Sequence, residues 1–404
     1  MSILNKEQVN HLDQPMFFGE DLGMARFESQ KHRVFETLTE KQLSFFWRPE
    51  EIDLSNDRQE YEALPPHLKK IFDLNLQYQS LLDSVQGRAP TMAFLSTVSD
   101  VSLENWITTW AFSETIHSRS YTHIERNLHI DPSEQFDAIV TNEAIMKRCA
   151  SITGYYDAYI DACHDLKTIH MQLDAYQRIA NNSELLDVTA EHEHLKTLYK
   201  EQMRKCKVAL YLCLHSVNAL EAIRFYVSFS FTFNFAEEMK ILEGNAKIMR
   251  LIARDETLHM KGTQSIIRLM QMGKDDPEMM EIAYQYEEEA TKIFLDCVQQ
   301  EIEWAEYLFS HGEVDGVTLK TTIQYIQHLA NHRMRAVGLT SPFKDTKDPY
   351  TWMQKYLKTD ELQVAPQEVE ISSYLIGQIN SDVSDDAYGE WQKRFMSSGQ
   401  QIQN

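Results

Sequence analysis

Glycine and proline are the scarce residues of this 404-residue chain, at 13 and 10. So few turn-formers exclude an architecture of many short strands and favour long helices. Cysteine is also thin. Cys149, Cys163, Cys206, Cys213 and Cys297 are odd in number and contain no Cys-x-x-Cys pair, the pattern of a reduced, cytoplasmic chain rather than a disulfide scaffold. Basic residues are outnumbered, 39 against 61 acidic, for a net charge of -22. A surface this acidic excludes nucleic acid and anionic membranes as natural partners. The N-terminus, Met-Ser-Ile-Leu-Asn-Lys-Glu-Gln, lacks the apolar core of a signal peptide.

One long hydrophobic run exists, from Val208 to Phe235. His215, Asn218, Glu221 and Arg224 interrupt its middle. Each central charge costs roughly 3 kcal/mol for membrane insertion. The run is therefore read as the central helix of a bundle, apolar on nearly every side. Around it the periodicity predicts helices over 26–44, 67–87, 102–128, 133–180, 237–271, 278–310 and 318–337. Residues 181–200 read as a polar insertion or a solvated helix. Residues 1–25 form an N-terminal arm, 26–340 the helical domain, and 341–404 a C-terminal segment ending in a mobile tail.

Two helices carry chemistry. One holds Glu114, His117 and Tyr121, which share a face at helical spacing, and the other holds Glu256 and His259. Asp83 and Glu221 are lone acids on two further apolar helices. Charged residues are rarely buried unless paired or ligating. Four carboxylates balance two divalent cations, and each histidine adds a neutral nitrogen. Oxygen ligands with few imidazoles suit iron or manganese, and no cysteine enters the motifs as structural zinc would require. Glu191-His-Glu-His194 repeats the Glu-x-x-His spacing in a charged stretch, where it reads as a solvated face. Phe225 and Phe229 follow Glu221 by four and eight residues, and Ile252 precedes Glu256 by four. They give the site an apolar lining beside Tyr121, which suits a phenol that loses an electron to an oxidised metal pair.

The chain resembles the small, radical-generating beta subunit of class Ia ribonucleotide reductase, especially enterobacterial and T-even-like phage forms. The likeness runs from Pro15-Met-Phe-Phe-Gly19 to about Ile379. It includes Lys41–Glu51, Gln79–Gly87, Phe112–His123, Asn218–Tyr226, Glu243–Lys247, Ile252–Glu256 and Ala365–Glu370. The resemblance implies an all-α, ferritin-like bundle with extra helices. Asp83, Glu114 and His117 would ligate one iron, and Glu221, Glu256 and His259 the other, with bridging carboxylates and an oxo-bridged diferric state. Closeness of the match favours iron over manganese. It makes Tyr121 the stable tyrosyl radical formed with dioxygen, with Phe225, Phe229 and Ile252 as its pocket. It makes Trp47 and Asp255 an electron and proton route from His117, and Tyr374 with Glu368 the relay of the tail. The implied partners are a second copy of the chain and a large alpha subunit that binds the ribonucleotides.

Residues 165–200 follow the family poorly and receive no role. The chain also runs past the family's usual end through Trp391–Phe395, a candidate docking element for the large subunit. A di-iron oxygenase or desaturase is the rival enzyme, needing substrate access but neither Tyr121 nor the tail. A ferritin-like metal store is the non-enzymatic rival, and it would lack the Trp47 segment.

Overall fold

The computed structural model describes residues 9–20, 24–180, 186–344 and 347–358. One compact unit spans Met1–Leu362, and Gln363–Asn404 is a second unit outside the described residues. Glu368, Tyr374 and Trp391–Phe395 therefore lie outside what is described.

The helices are α1 (Arg33–Ser44), α2 (Ser55–Ala63), α3 (Pro66–Gln86), α4 (Ala89–Phe94), α5 (Val101–Leu128), α6 (Pro132–Thr141) and α7 (Glu143–Ala180). They continue with α8 (Leu186–Ala219), a π-helical turn (Leu220–Arg224), α9 (Phe225–Glu237), α10 (Glu243–Met272), α11 (Pro277–Gln285), α12 (Glu287–Phe309), α13 (Leu319–Ala336) and α14 (Met353–Leu357). Among the described residues the only β-pairing is two isolated bridges, Phe17–Val98 and Val314–Val317. The expected all-α class is the observed one.

The boundaries differ from the sequence reading in instructive places. The first helix starts at Arg33, not 26, because the arm is tied down instead of coiled: Asp275 accepts hydrogen bonds from Met16 N at 2.7 Å and Lys31 Nζ at 2.6 Å. Met16 and Phe17 are buried, so the arm is anchored by its apolar residues. The stretch between the first two expected helices holds a helix of its own, α2. The run 133–180 breaks at Asn142, whose side chain accepts from Ala144 N and Ile145 N and starts a new helix. Of the two readings of 181–200, residues 186–200 follow the solvated helix and not the insertion: they are the first turns of α8, which packs along α7. The 237–271 helix begins at Glu243, after Lys240 and Leu242 adopt positive φ. The 278–310 run breaks at Tyr286.

Residues 190–237 are long and apolar enough to cross a membrane, yet 78% of the apolar window is buried inside the protein. Leu210, Leu214, Val217, Leu220, Ile223, Phe225 and Phe229 have no exposed surface, as expected of the bundle's core rod. Asn218, His215 and Arg224 along it are paired or neutral. Asn218 donates to Met260 O at 3.2 Å and Thr263 Oγ1 at 2.7 Å, which fixes α8 against α10. Burial drives His215 down to about 3, so it stays uncharged. Arg224 pairs with Glu301 at 3.0 Å, and Tyr78 donates to the same carboxylate oxygen at 2.7 Å. Removing one partner strands the other charge in the core. Glu301→Ala is expected to lower unfolding free energy by about 3–5 kcal/mol, read from the urea midpoint. A change below about 1 kcal/mol would mean that water reaches Arg224 and compensates it.

The start of α10 is held by α2. Asp57 accepts from Gly244 N at 3.1 Å and Asn245 N at 2.6 Å, and Glu60 accepts from Leu242 N at 2.6 Å. Carboxylates there satisfy free backbone donors and oppose the helix dipole. They also fix the depth at which α10 presents its own acids.

Candidate metal centre

Four elements bring six side chains to one point. Asp83 comes from α3, Glu114 and His117 from α5, Glu221 from the π-helical turn, and Glu256 and His259 from α10. None has exposed surface. Their ligand atoms form two groups: Asp83, Glu114, His117 and Glu256, and then Glu114, Glu221, Glu256 and His259. Glu114 and Glu256 belong to both.

The distances show how they are shared. His117 Nδ1 lies 3.1 Å from Glu114 Oε2, 3.2 Å from Glu256 Oε1 and 3.9 Å from Asp83 Oδ1. His259 Nδ1 lies 2.9 Å from Glu114 Oε1, 3.5 Å from Glu256 Oε2 and 4.0 Å from Glu221 Oε2. Each shared glutamate thus turns one oxygen to each histidine, the disposition of a carboxylate spanning two cations.

The donor set fits a pair of hard cations. Both oxygens of Asp83 and of Glu256, Oε2 of Glu221 and both ring nitrogens of His259 have no hydrogen-bond partner among the described residues. Buried polar atoms left unpaired cost several kcal/mol as a group unless something else binds them. Burial, then the Glu114 charge, drives Asp83 well above the carboxylate range. Burial and then Glu221 do the same to Glu256, and burial raises Glu221 to about 7. Against its own burial, Glu114 is held low by His259 and His117. Without cations such a cluster must hold protons, and cations remove that need.

The neighbours orient the ligands. Asp255 Oδ2 sits 3.2 Å from His117 Nε2 and accepts from Trp47 Nε1 at 2.9 Å. That contact at Nε2 leaves Nδ1 facing the acids. Asp255 and Trp47 are each 1% exposed, so this acid next to Glu256 is buried, not a surface charge. The indole and imidazole centroids are 6.4 Å apart. Tyr121 has no exposed surface. Burial first, and then the charge of Asp83, keeps this phenol well above its usual pKa. Phe225, Phe229 and Ile252 are fully buried, with the two phenylalanine rings stacked at 5.8 Å. Glu191 and His194 are exposed on α8, remote from the two ligand groups.

Two contributors escaped the sequence reading. Gln86 donates to Glu221 Oε1 and accepts from Tyr156 Oη at 3.0 Å. Trp110 donates to Glu114 Oε1 at 2.8 Å. Trp110 stands four residues before its partner on the same helix face, a spacing that could have revealed it.

A profile of the family "Ribonucleotide reductase, small chain" matches residues 25–349. The chain belongs to the ribonucleotide reductase small-chain family. It is 49% identical over 396 residues to the ribonucleoside-diphosphate reductase subunit beta of Enterobacteria phage T4, covering 98% of this chain and 100% of that one. The ribonucleoside-diphosphate reductase 1 subunit beta of Escherichia coli O157:H7 is 51% identical over 383 residues, 95% of this chain and 97% of its own. Among solved structures, a ribonucleotide reductase R2 subunit from Clostridium botulinum superposes with a TM-score of 0.69 at 22% identity, covering 89% of this chain and 98% of that one. That likeness supports the ferritin-like helical fold.

Proposed function

We propose that this chain is the radical-generating small subunit of ribonucleoside-diphosphate reductase, with two iron ions as its metals and Tyr121 as the residue oxidised. The observation that carries the reading is the sharing of Glu114 and Glu256 between two ligand groups, with a buried phenol, Tyr121, one turn beyond His117. When bound, a dinuclear iron pair supplies the oxidising power that dioxygen chemistry needs to take one electron from a phenol.

The protein's own part is positioning and exclusion. Asp83, Glu114 and His117 would hold one iron, Glu221, Glu256 and His259 the other. Phe225, Phe229 and Ile252 keep water and reductants from the oxidised phenol. The phenol is protonated at rest, so its oxidation releases a proton on the side where Asp83 lies. His117, Asp255 and Trp47 form a hydrogen-bonded line leading away from the metals, suited to carrying an electron and a proton outward. Tyr374 and Glu368 would continue it in the tail to the large alpha subunit, which binds the ribonucleotide. The exposed apolar residues Leu43, Phe46 and Phe112, with Phe46 and Phe112 stacked at 6.3 Å, support assembly with a second copy. Sedimentation as a monomer alone would remove that part. The cytoplasm, where thiols stay reduced, is the compartment this reading requires.

Electron paramagnetic resonance after adding ferrous iron and oxygen to metal-free protein tests the proposal. A tyrosyl resonance is expected. Oxidised iron mineral with no such resonance would turn the reading towards a metal store.

A further inference from the structure

Two of the five thiols meet across the α7–α8 hairpin. Cys163 lies on α7 and Cys206 on α8. Cys206 Sγ donates to the backbone carbonyl of Ala162 at 3.0 Å, and Gln202, one turn earlier on α8, donates to the same oxygen at 3.0 Å. These bonds fix the register of the two helices beside Cys163. Cys163 directly follows Ala162, so the bond to that carbonyl sets the Cys206 thiol beside Cys163, with Tyr159 one turn back on α7. Tyr159 has no exposed surface and is held by Thr97 Oγ1 at 2.5 Å. Cys163 is half-buried, whereas Cys206 has no exposed surface. The pair thus consists of one thiol that solvent can reach and one that it cannot. Nothing in the metal centre uses either.

We propose that Cys163 and Cys206 form a thiol-oxidation site that reacts with a low-molecular-weight disulfide and closes into a disulfide across the two helices. In the first step the Cys163 thiolate attacks one sulfur of the small disulfide, giving a mixed disulfide and releasing one small thiolate. In the second, Cys206 gives up its proton and its sulfur attacks Cys163 Sγ. The Cys163–Cys206 bond forms and the second small thiol leaves. The protein loses two electrons and two protons, and the small disulfide is reduced to two thiols.

The surroundings suit the division of labour. Contact with Cys206 is the main cause holding Cys163 below the ordinary thiol range; burial opposes it and Tyr159 adds to it. The same contact, together with burial, pushes Cys206 up, which keeps the resolving thiol protonated until it is used. Cys149, Cys213 and Cys297 are buried, and burial drives Cys213 well above its usual value and Cys297 up to about 12. In a reducing compartment, disulfides of this kind are transient and report redox state. Cys206 precedes Glu221 by fifteen residues, about 22 Å of helix, so closing the pair leaves metal ligation untouched. The site stands whether or not the metal centre makes a radical.

The test is peptide mapping of the full-length protein under non-reducing conditions after incubation with glutathione disulfide near neutral pH. One cross-linked peptide joining Cys163 to Cys206 is expected, with loss of two hydrogens and unchanged metal content. Cys206→Ser is expected to trap glutathione on Cys163, and Cys163→Ser to leave Cys206 free. Before oxidation, alkylation at Cys163 is expected to run at least about 10-fold faster than at the other four cysteines. Stable glutathione on wild-type Cys163 with Cys206 free would overturn the proposal. So would no reaction at either residue, or Cys163 alkylating no faster than buried Cys213. The wild-type map and alkylation rates need no variant, so they decide the matter even if a serine variant unfolds.

Discussion

Tyr121→Phe is expected to bind two metals per chain as before, to show no tyrosyl resonance after reaction with ferrous iron and oxygen, and to support no ribonucleotide reduction with the large subunit. The substitution removes one hydroxyl and keeps the ring. The ring still fills its fully buried place, so the packing around it is kept. The six proposed ligands are untouched. Metal analysis, electron paramagnetic resonance and turnover together separate this outcome from a general collapse of the site. An unchanged resonance would move the role elsewhere, and Tyr156 would be the next residue to examine, since Gln86 links its hydroxyl to Glu221. Asp255→Asn is the informative contrast. It keeps an acceptor for Trp47 but removes the charge beside His117, so metals and resonance should persist while turnover drops by roughly 10–100-fold. Loss of the resonance together with turnover would place Asp255 in metal assembly and not in transfer.

The centre was legible because its residues break the rules of their surroundings. Asp83, Glu114, Glu221 and Glu256 are acids on apolar helix faces, and a sequence can display that conflict without any tertiary knowledge. The copy at Glu191–His194 has no such conflict, and it is exposed. The family resemblance then suggested the roles proposed for Trp47 and Asp255, which burial alone could not. What stayed hidden depends on partners distant in the chain. Gln86 precedes Gly87 at the end of α3 and reads as an ordinary polar terminus, although its amide holds Glu221 from 135 residues away. Asp57 and Glu60 fall between the expected helices and carry no pattern of their own, yet they cap α10 from 182 or more residues away. Glu221 sits in a π-helical turn, which shifts the 3.6-residue register on which the face of Phe225 and Phe229 was reckoned. No residue pattern announces that turn. The start of α8 stayed open between insertion and solvated helix for a related reason. Its polar composition suits solvent on most sides, and only packing along α7 makes it a helix.

Glu256→Ala is expected to lose more metal than any single-sided change, because Glu256 turns one oxygen to each half of the centre. Asp83 belongs to one ligand group and Glu256 to both. Asp83→Ala should therefore weaken one metal and spare its neighbour, whereas Glu256→Ala weakens both, each by at least about 100-fold. His194→Ala, on the exposed surface of α8, should bind the full complement. Stability gives a second readout that does not involve turnover. Cations that bind only the folded state raise its melting temperature in proportion to their affinity and concentration. In wild-type protein, added ferrous iron should raise the melting temperature, and in Glu256→Ala most of that rise should disappear. The metal-free variant escapes part of the penalty of a buried acid, so it need not melt lower than the metal-free parent. Equal metal loss in Asp83→Ala, Glu256→Ala and His194→Ala, with the iron-dependent rise unchanged, would show that the shared carboxylate is not what joins the two halves.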